Sequence, residues 1–89
     1  MKFDWDPKKA RLNVAKHDGV SFEEARQCFE DENALIVDDA VHEGRFNLVG
    51  YSTSRLLFVV YAELVGEVIR IISARKATSR ERRQYEEGG

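Results

Sequence analysis

Six basic side chains fall between Val68 and Arg83: Arg70, Arg75, Lys76, Arg80, Arg82 and Arg83. One acid, Glu81, stands among them, so the stretch carries a net charge of +5 in a chain whose formal total is −2. Everything outside it therefore sums to −7. A local field of this kind attracts a polyanion even when the total charge does not. A basic cluster of this size is, by itself, often only a solvated helix end. This one begins as an apolar strand and continues into a capped helix, so its arginines are held on a folded scaffold. Strand alternation puts Val68, Arg70, Ile72 and Ala74 on one face and Ile69, Ile71, Ser73 and Arg75 on the other. An arginine within a sheet face needs an ion-pair partner or a wet groove. For Arg70 the spacing slightly favours an ion pair over a phosphate contact. Arg75 lies at the strand end beside a helix start, where the helix N-terminus adds partial positive charge for an anion.

The other candidates are sparser. His42 and Glu43 sit in a short run, His-Glu-Gly-Arg, that ends in Arg45. A loop histidine beside a carboxylate and a guanidinium can act as a general acid or base, although most such residues are simply solvated. His17 ends a helix, where a plain positive charge suits the dipole. Cys28 reads as a small core residue, since nothing basic adjoins it in sequence. Two histidines and one cysteine without ligand spacing suggest no metal site and no cofactor. Glycine-rich phosphate loops and nucleophile elbows are absent from the sequence. Trp5, Tyr51, Tyr61 and Tyr85 accompany the bases, as in proteins that stack single-stranded RNA, but most aromatics in so short a chain belong to the core.

These residues need a frame. Lys2 to Trp5 reads as a short strand. Asp6-Pro7 opens a helix that runs to about His17 and ends at Gly19. Its apolar face is poor, so it should lie on the surface. Ser21 to Glu24 fits a capping box, with Glu24 reaching back, and the helix after it offers Phe22, Ala25, Cys28 and Phe29 on one side. Then come four strand-like runs, residues 34–38, 45–53, 56–63 and 67–74, separated by short turns. The continuously apolar Leu56 to Ala62 should be a central strand covered on both faces. Thr78 to Glu81 forms a second capping box and starts a last helix. Gly88 and Gly89 read as a frayed end. The expected architecture is α+β: a small antiparallel meander with two N-terminal helices and one C-terminal helix, the helices packed on one face.

At 89 residues the chain is one domain, residues 1–89, with a thin core that a permanent partner would strengthen. A single cysteine fits a cytoplasmic location, and neither a membrane span nor a signal peptide is legible. Residues 22–43 hold eight acids and one arginine, so two faces of opposite charge are expected, each for a different partner.

Several blocks in order, FDWDPKKARLNVAKHDGVSFEEA, GRFNLVGYS, LLFVVYAE and IRIISARKATSRERRQY, together resemble the BrnT family of bacterial type II toxin–antitoxin toxins. The resemblance runs from Phe3 to Tyr85. It departs from the family pattern at Asp18, an extra residue between His17 and Gly19, and at Gly44, inserted between Glu43 and Arg45. It implies a RelE-like fold and metal-independent endoribonuclease activity that halts translation. It also implies neutralisation by a BrnA-like ribbon-helix-helix antitoxin, through which alone the pair touches operator DNA. The implied chemistry needs a base for the 2′-hydroxyl, cations for the phosphate and an acid for the leaving oxygen. Arg70 and Arg75 are the phosphate candidates. His42, Glu43 and Tyr85 are alternatives for the base, and Lys16, Arg45, Lys76, Arg80 and Arg83 are further RNA contacts. The competing reading is a non-catalytic subunit of a toxin–antitoxin repressor complex, favoured by the acidic stretch and the thin core. On charge, the antitoxin would cover the basic groove.

Overall fold

The computed structural model describes residues Met1–Gly88. Strand β1 (Lys2–Asp4) leads into helices α1 (Pro7–Lys16) and α2 (Phe22–Gln27), the latter extended by a 3-10 turn at Cys28–Glu30. Strands β2 (Leu35–Asp38), β3 (Arg45–Tyr51), β4 (Leu56–Leu64) and β5 (Val68–Lys76) follow, and α3 (Ser79–Glu86) ends the chain. One five-stranded sheet has the order β1-β5-β4-β3-β2. The four long runs form the expected antiparallel meander, but β1 pairs parallel with β5, so the sheet is mixed. No turn residue in the sequence announces a parallel partner that lies more than sixty residues away (Asp4 beside Arg70).

The cores of the helices and sheet meet on one face. Phe22, Ala25 and Cys28 of the second helical segment and Val20 before it are fully buried, against Leu48, Leu57, Val59, Tyr61, Ile71 and Ala74. Edge-on rings join Phe3 to Phe29, Phe29 to Tyr61 and Trp5 to Phe22. Gly50 must lack a side chain, because a Cβ there would meet the Cys28 carbonyl at 3.1 Å and the Ala34 methyl at 3.3 Å. Burial lifts the Cys28 thiol to about 12, with Glu24 and Asp31 adding to it, so the residue is an inert core member as its surroundings predicted.

α1 is anchored in a way its poor apolar face did not reveal. Asn13 is buried; its side-chain amide donates to the carbonyls of Val20 (2.9 Å) and Ala74 (2.7 Å) and accepts from the Ala74 amide (3.1 Å). Both peptide groups of one strand residue point to the same side, so Asn13 occupies the position where a neighbouring strand would pair. Leu12 and Val14 consequently turn outward.

Two further expectations are corrected. Ser21 caps α2, but the Glu24 carboxylate does not reach back to close a box; it forms a bidentate pair with Arg55 (2.7 and 2.9 Å) and accepts from Ser52. Among the described residues only α3 carries a full capping box, between Thr78 and Glu81. The helices also do not share one face. α1 and α2 lie on the core side, whereas α3 contacts Arg75 and Tyr51 on the other side. Leu56 of the middle strand is buried there, but Phe58, Val60 and Ala62 are only half covered. Gly88 is bonded through its amide to the Tyr85 carbonyl at a positive φ and closes α3; Gly89 lies outside the described residues. Among the described residues no helix is long and apolar enough to cross a membrane.

Candidate nucleic-acid interface

The face of the sheet opposite the core carries the candidate chemistry, and its layout follows from register. Arg45, Ala62, Arg70 and Asp4 form one row across β3, β4, β5 and β1. Asn47, Val60 and Ser73 make the next, and Val49, Phe58 and Arg75 the one after. Plain alternation would have sent Arg70 and Arg75 to opposite faces. A bulge in β5 corrects this: Tyr61 pairs with Ile71 and Val60 with Ser73, so Ile72 is an extra residue. From there on the pleat is reversed. Ala74 joins Ile69 and Ile71 in the core, and Arg75 shares the second face with Arg70.

The rows define two ends. Arg45 and Arg70 flank Ala62, with backbones ~10 Å apart across two strand spacings. Ala62 is too short to fill the gap between them. The β2–β3 loop brings His42 and Glu43 to this end, since the Arg45 amide bonds to the His42 carbonyl. The His42 ring rests on Asp39 at 3.2 Å, and Asp39 also accepts the amides of Val41 and His42, which hold its carboxyl below the usual range. Glu43 is exposed. Arg70 is tied to Asp4 of β1, in a pair open to solvent on both sides. That is the ion pair the spacing favoured, and it lies on an open face.

The second end lies about 13 Å further along β4, four residues away. There Arg75 stacks over the Phe58 ring (4.1 Å) and holds Glu81 through both guanidinium nitrogens (2.8 and 2.9 Å). Burial raises the Glu81 carboxyl, but Arg75 and the Thr78 amide outweigh it and keep the group below the ordinary carboxylate range. α3 roofs this end: Arg82 donates to the Tyr51 hydroxyl (3.0 Å), and the Tyr51 and Tyr85 rings meet edge to face. Tyr85 donates to Asp31 at 2.7 Å, and that bond lifts its phenol to about 12. A proton held so firmly makes Tyr85 a poor base at neutral pH.

Not every residue in the basic run reaches this face. Lys76 turns to the helix side, where it pairs with Asp18 (3.6 Å). Lys16 lies at the end of α1, beside the β5 edge. Arg80 and Arg83 are exposed on α3. The structure thus unites Arg45, Arg70, His42 and Glu43 at one end and Arg75 with Tyr85 at the other. Several residues of the site had no signal in the sequence. Asp4 and Glu81 engage the two arginines, Arg82 and Asp31 fasten α3, and Asn47 buries an amide oxygen that has no hydrogen-bond partner among the described residues. Of these, Arg82 and Glu81 stood out beforehand, as a member of the basic run and as the one acid in it. Asp18 stands in the loop after α1 with a positive φ of 52°; its carbonyl accepts from Arg55 at 3.2 Å and its carboxylate faces Lys76, so the extra residue is absorbed outside the site.

A family model described as the ribonuclease toxin BrnT of type II toxin–antitoxin systems matches residues 5–81. Among solved structures, the 1.1 Å crystal structure of the Brucella abortus ribonuclease toxin BrnT has a TM-score of 0.73 with this chain, at 24% identity. The match covers 89% of this chain and 99% of that one, and at such identity it carries the fold. No curated protein sequence matches the chain significantly. With nearly the whole fold inside the matched span, the chain belongs to the BrnT family of ribonuclease toxins of type II toxin–antitoxin systems.

Proposed function

We propose that this chain cleaves RNA without a metal ion, in the manner implied by its likeness to RelE-type toxins, on the sheet face that bears Arg45, Arg70 and Arg75. The bulge at Ile72 carries this reading, because it sets Arg70 and Arg75 on one surface. The 2′-oxygen attacks the adjacent phosphorus in line, its proton passing to a base. The bond from phosphorus to the 5′-oxygen breaks, and that oxygen takes a proton. A 2′,3′-cyclic phosphate and a 5′-hydroxyl result. Charge gathers on the non-bridging oxygens as the reaction proceeds, and a guanidinium fork aimed at them stabilises that state more than the substrate. Arg70 has this role at one end, with Arg45 supporting the phosphate across Ala62, and Arg75 serves a phosphate at the other end of the same face. His42 or Glu43 takes the 2′-proton; both stand at the Arg70 end, and Tyr85 is disfavoured by its bond to Asp31. Arg80 and Arg83 on α3 meet flanking phosphates. A BrnA-like ribbon-helix-helix antitoxin inhibits by covering this face, and operator DNA is reached through the antitoxin.

A non-catalytic subunit remains a competing reading on one observation: both central arginines are already paired, with Asp4 and with Glu81. Expression without antitoxin separates the two. Arrested growth, relieved by Arg70→Gln and by Arg75→Gln in protein that still melts cooperatively, is the expected result. Arrest that persists in both variants removes the arginines from the mechanism, and no arrest by the folded wild-type chain favours the binding subunit.

A further inference from the structure

Positive charge continues past the sheet face onto α1. The helix carries Lys8, Lys9, Arg11 and Lys16 and no acid. Lys9 and Lys16 are seven residues apart, two helical turns, and so share one side of it. The Asn13–Ala74 clamp turns that side to β5. Between helix and strand lies a hollow of about 180 Å3, lined by Lys9, Leu12, Asn13, Lys16, His17, Ile72 and Ser73.

The strand side of this hollow is unusual. β1 accompanies β5 only as far as Arg70, and Asn13 takes both peptide groups of Ala74. Ile71 to Ser73, the bulged segment, therefore has no strand neighbour on that side. That side of the strand is therefore open rather than paired. Ser73 also lies in the row between Arg70 and Arg75, so it borders both the hollow and the arginine face.

On the face, Arg70 and Arg75 each have a carboxylate within 4.0 Å, as do Arg55 and Lys76 elsewhere, whereas Lys9 and Lys16, like Arg45, have none among the described residues. Two exposed ammonium groups beside a histidine, with no acid to answer them, leave a positive potential that an anion can meet.

We propose that this hollow is a second phosphate subsite. It holds a phosphodiester of the single-stranded RNA that flanks the cleaved bond, after the strand has crossed the β5 bulge. Lys9 and Lys16 supply charge, and His17 and the Ser73 hydroxyl supply donors. The subsite rests on the ribonuclease reading above, and the hollow is placed where a strand leaving Arg75 or Arg70 over Ser73 would arrive.

The test uses the full chain and a labelled, uncleavable 2′-O-methyl RNA 12-mer, titrated by anisotropy at several salt concentrations. A Lys9→Gln/Lys16→Gln variant is expected to bind about tenfold more weakly at ~100 mM salt and to lose about one unit of log–log salt slope. A Lys8→Gln/Arg11→Gln variant removes equal charge from the same helix outside the hollow, and it should keep the wild-type slope. Equal losses in the two variants would mean a general field and would overturn the subsite, as would wild-type binding by the Lys9/Lys16 variant. A variant with normal RNA binding and weakened antitoxin binding would assign the hollow to the antitoxin and overturn it too. If the wild-type chain itself fails to bind the RNA, the ribonuclease reading falls, and the subsite with it.

Discussion

Arg75 is held by three groups at once: the Phe58 ring, the Glu81 carboxylate and the Lys76 carbonyl. The stacking fixes the plane of the guanidinium, and Glu81 takes the two nitrogens that a phosphate would use. For Arg75 to hold a phosphate of RNA, that phosphate must displace Glu81 or share the fork with it. Glu81→Gln should raise RNA affinity about fivefold, equivalent to roughly 1 kcal/mol for a partly exposed pair. Unchanged affinity on titration would show that Arg75 does not meet the phosphate. Arg70 has a looser partner, exposed as Arg70 itself is, so Arg70→Gln should leave thermal stability within about 0.5 kcal/mol while lowering cleavage at least tenfold. A melt shifted by many degrees would show Arg70 to be structural. The identities of these arginines were legible in the sequence. Their shared face was not, because Val68 to Lys76 is β-compatible throughout and an extra residue such as Ile72 leaves no mark in a pattern of apolar side chains. Tyr85 illustrates the converse: its type suggested chemistry, and only the position of Asp31 shows that its proton is retained.

At the scale of elements, two polar clamps hold the helices against the sheet. Asn13 replaces a missing strand beside Ala74, and its truncation leaves both peptide groups of Ala74 and the Val20 carbonyl without partners in a buried place. Asn13→Ala should cost about 2–4 kcal/mol in denaturant unfolding; a cost below roughly 1 kcal/mol would mean that water replaces the clamp. Glu24 joins α2 to the β3–β4 turn through Arg55 and Ser52, and the Arg55 bonds hold its carboxyl below the ordinary 4.5. Because the folded value is the lower one, this contribution is complete above the ordinary value and is lost as pH falls through the depressed one. The Arg55→Gln variant should therefore be less stable than wild type at pH 7, and the gap should narrow toward pH 3. A gap independent of pH would assign it to packing. Both clamps eluded the sequence for the same reason. A helix with an apolar stripe advertises its buried side, whereas α1 is fastened by one asparagine among lysines. In α2 the Ser-x-x-Glu pattern suggested a local partner for Glu24, but its partner is thirty-one residues away. The strand runs and helix starts were legible because alternation, proline and capping residues act locally. The parallel pairing of β1, fixed only by the closed fold, was not.

Across the whole molecule the sheet order converts linear charge blocks into sides. Residues 30–43, around edge strand β2, hold six acids and no lysine or arginine. The opposite side gathers β5 and α1, with the arginine row reaching across between them. RNA approaching from the β5 side meets positive charge first, so association should weaken steeply with salt. On the β2 side Ile36 and Val37 are about half exposed within that acidic rim. The two-sided charge was foreseeable from composition along the chain; which elements carry each sign followed from the order β1-β5-β4-β3-β2. The family supplies the ribonuclease activity, and the molecule's own layout gathers arginine charge on one face of the sheet. The most direct measurement is incubation of the antitoxin-free chain with labelled single-stranded RNA in EDTA, beside Arg70→Gln. Fragments ending in 2′,3′-cyclic phosphate, produced by the wild type and lost in the variant, are the predicted result. Cleavage that stops in EDTA and returns with a divalent cation, or that persists at the wild-type rate in Arg70→Gln, would contradict it.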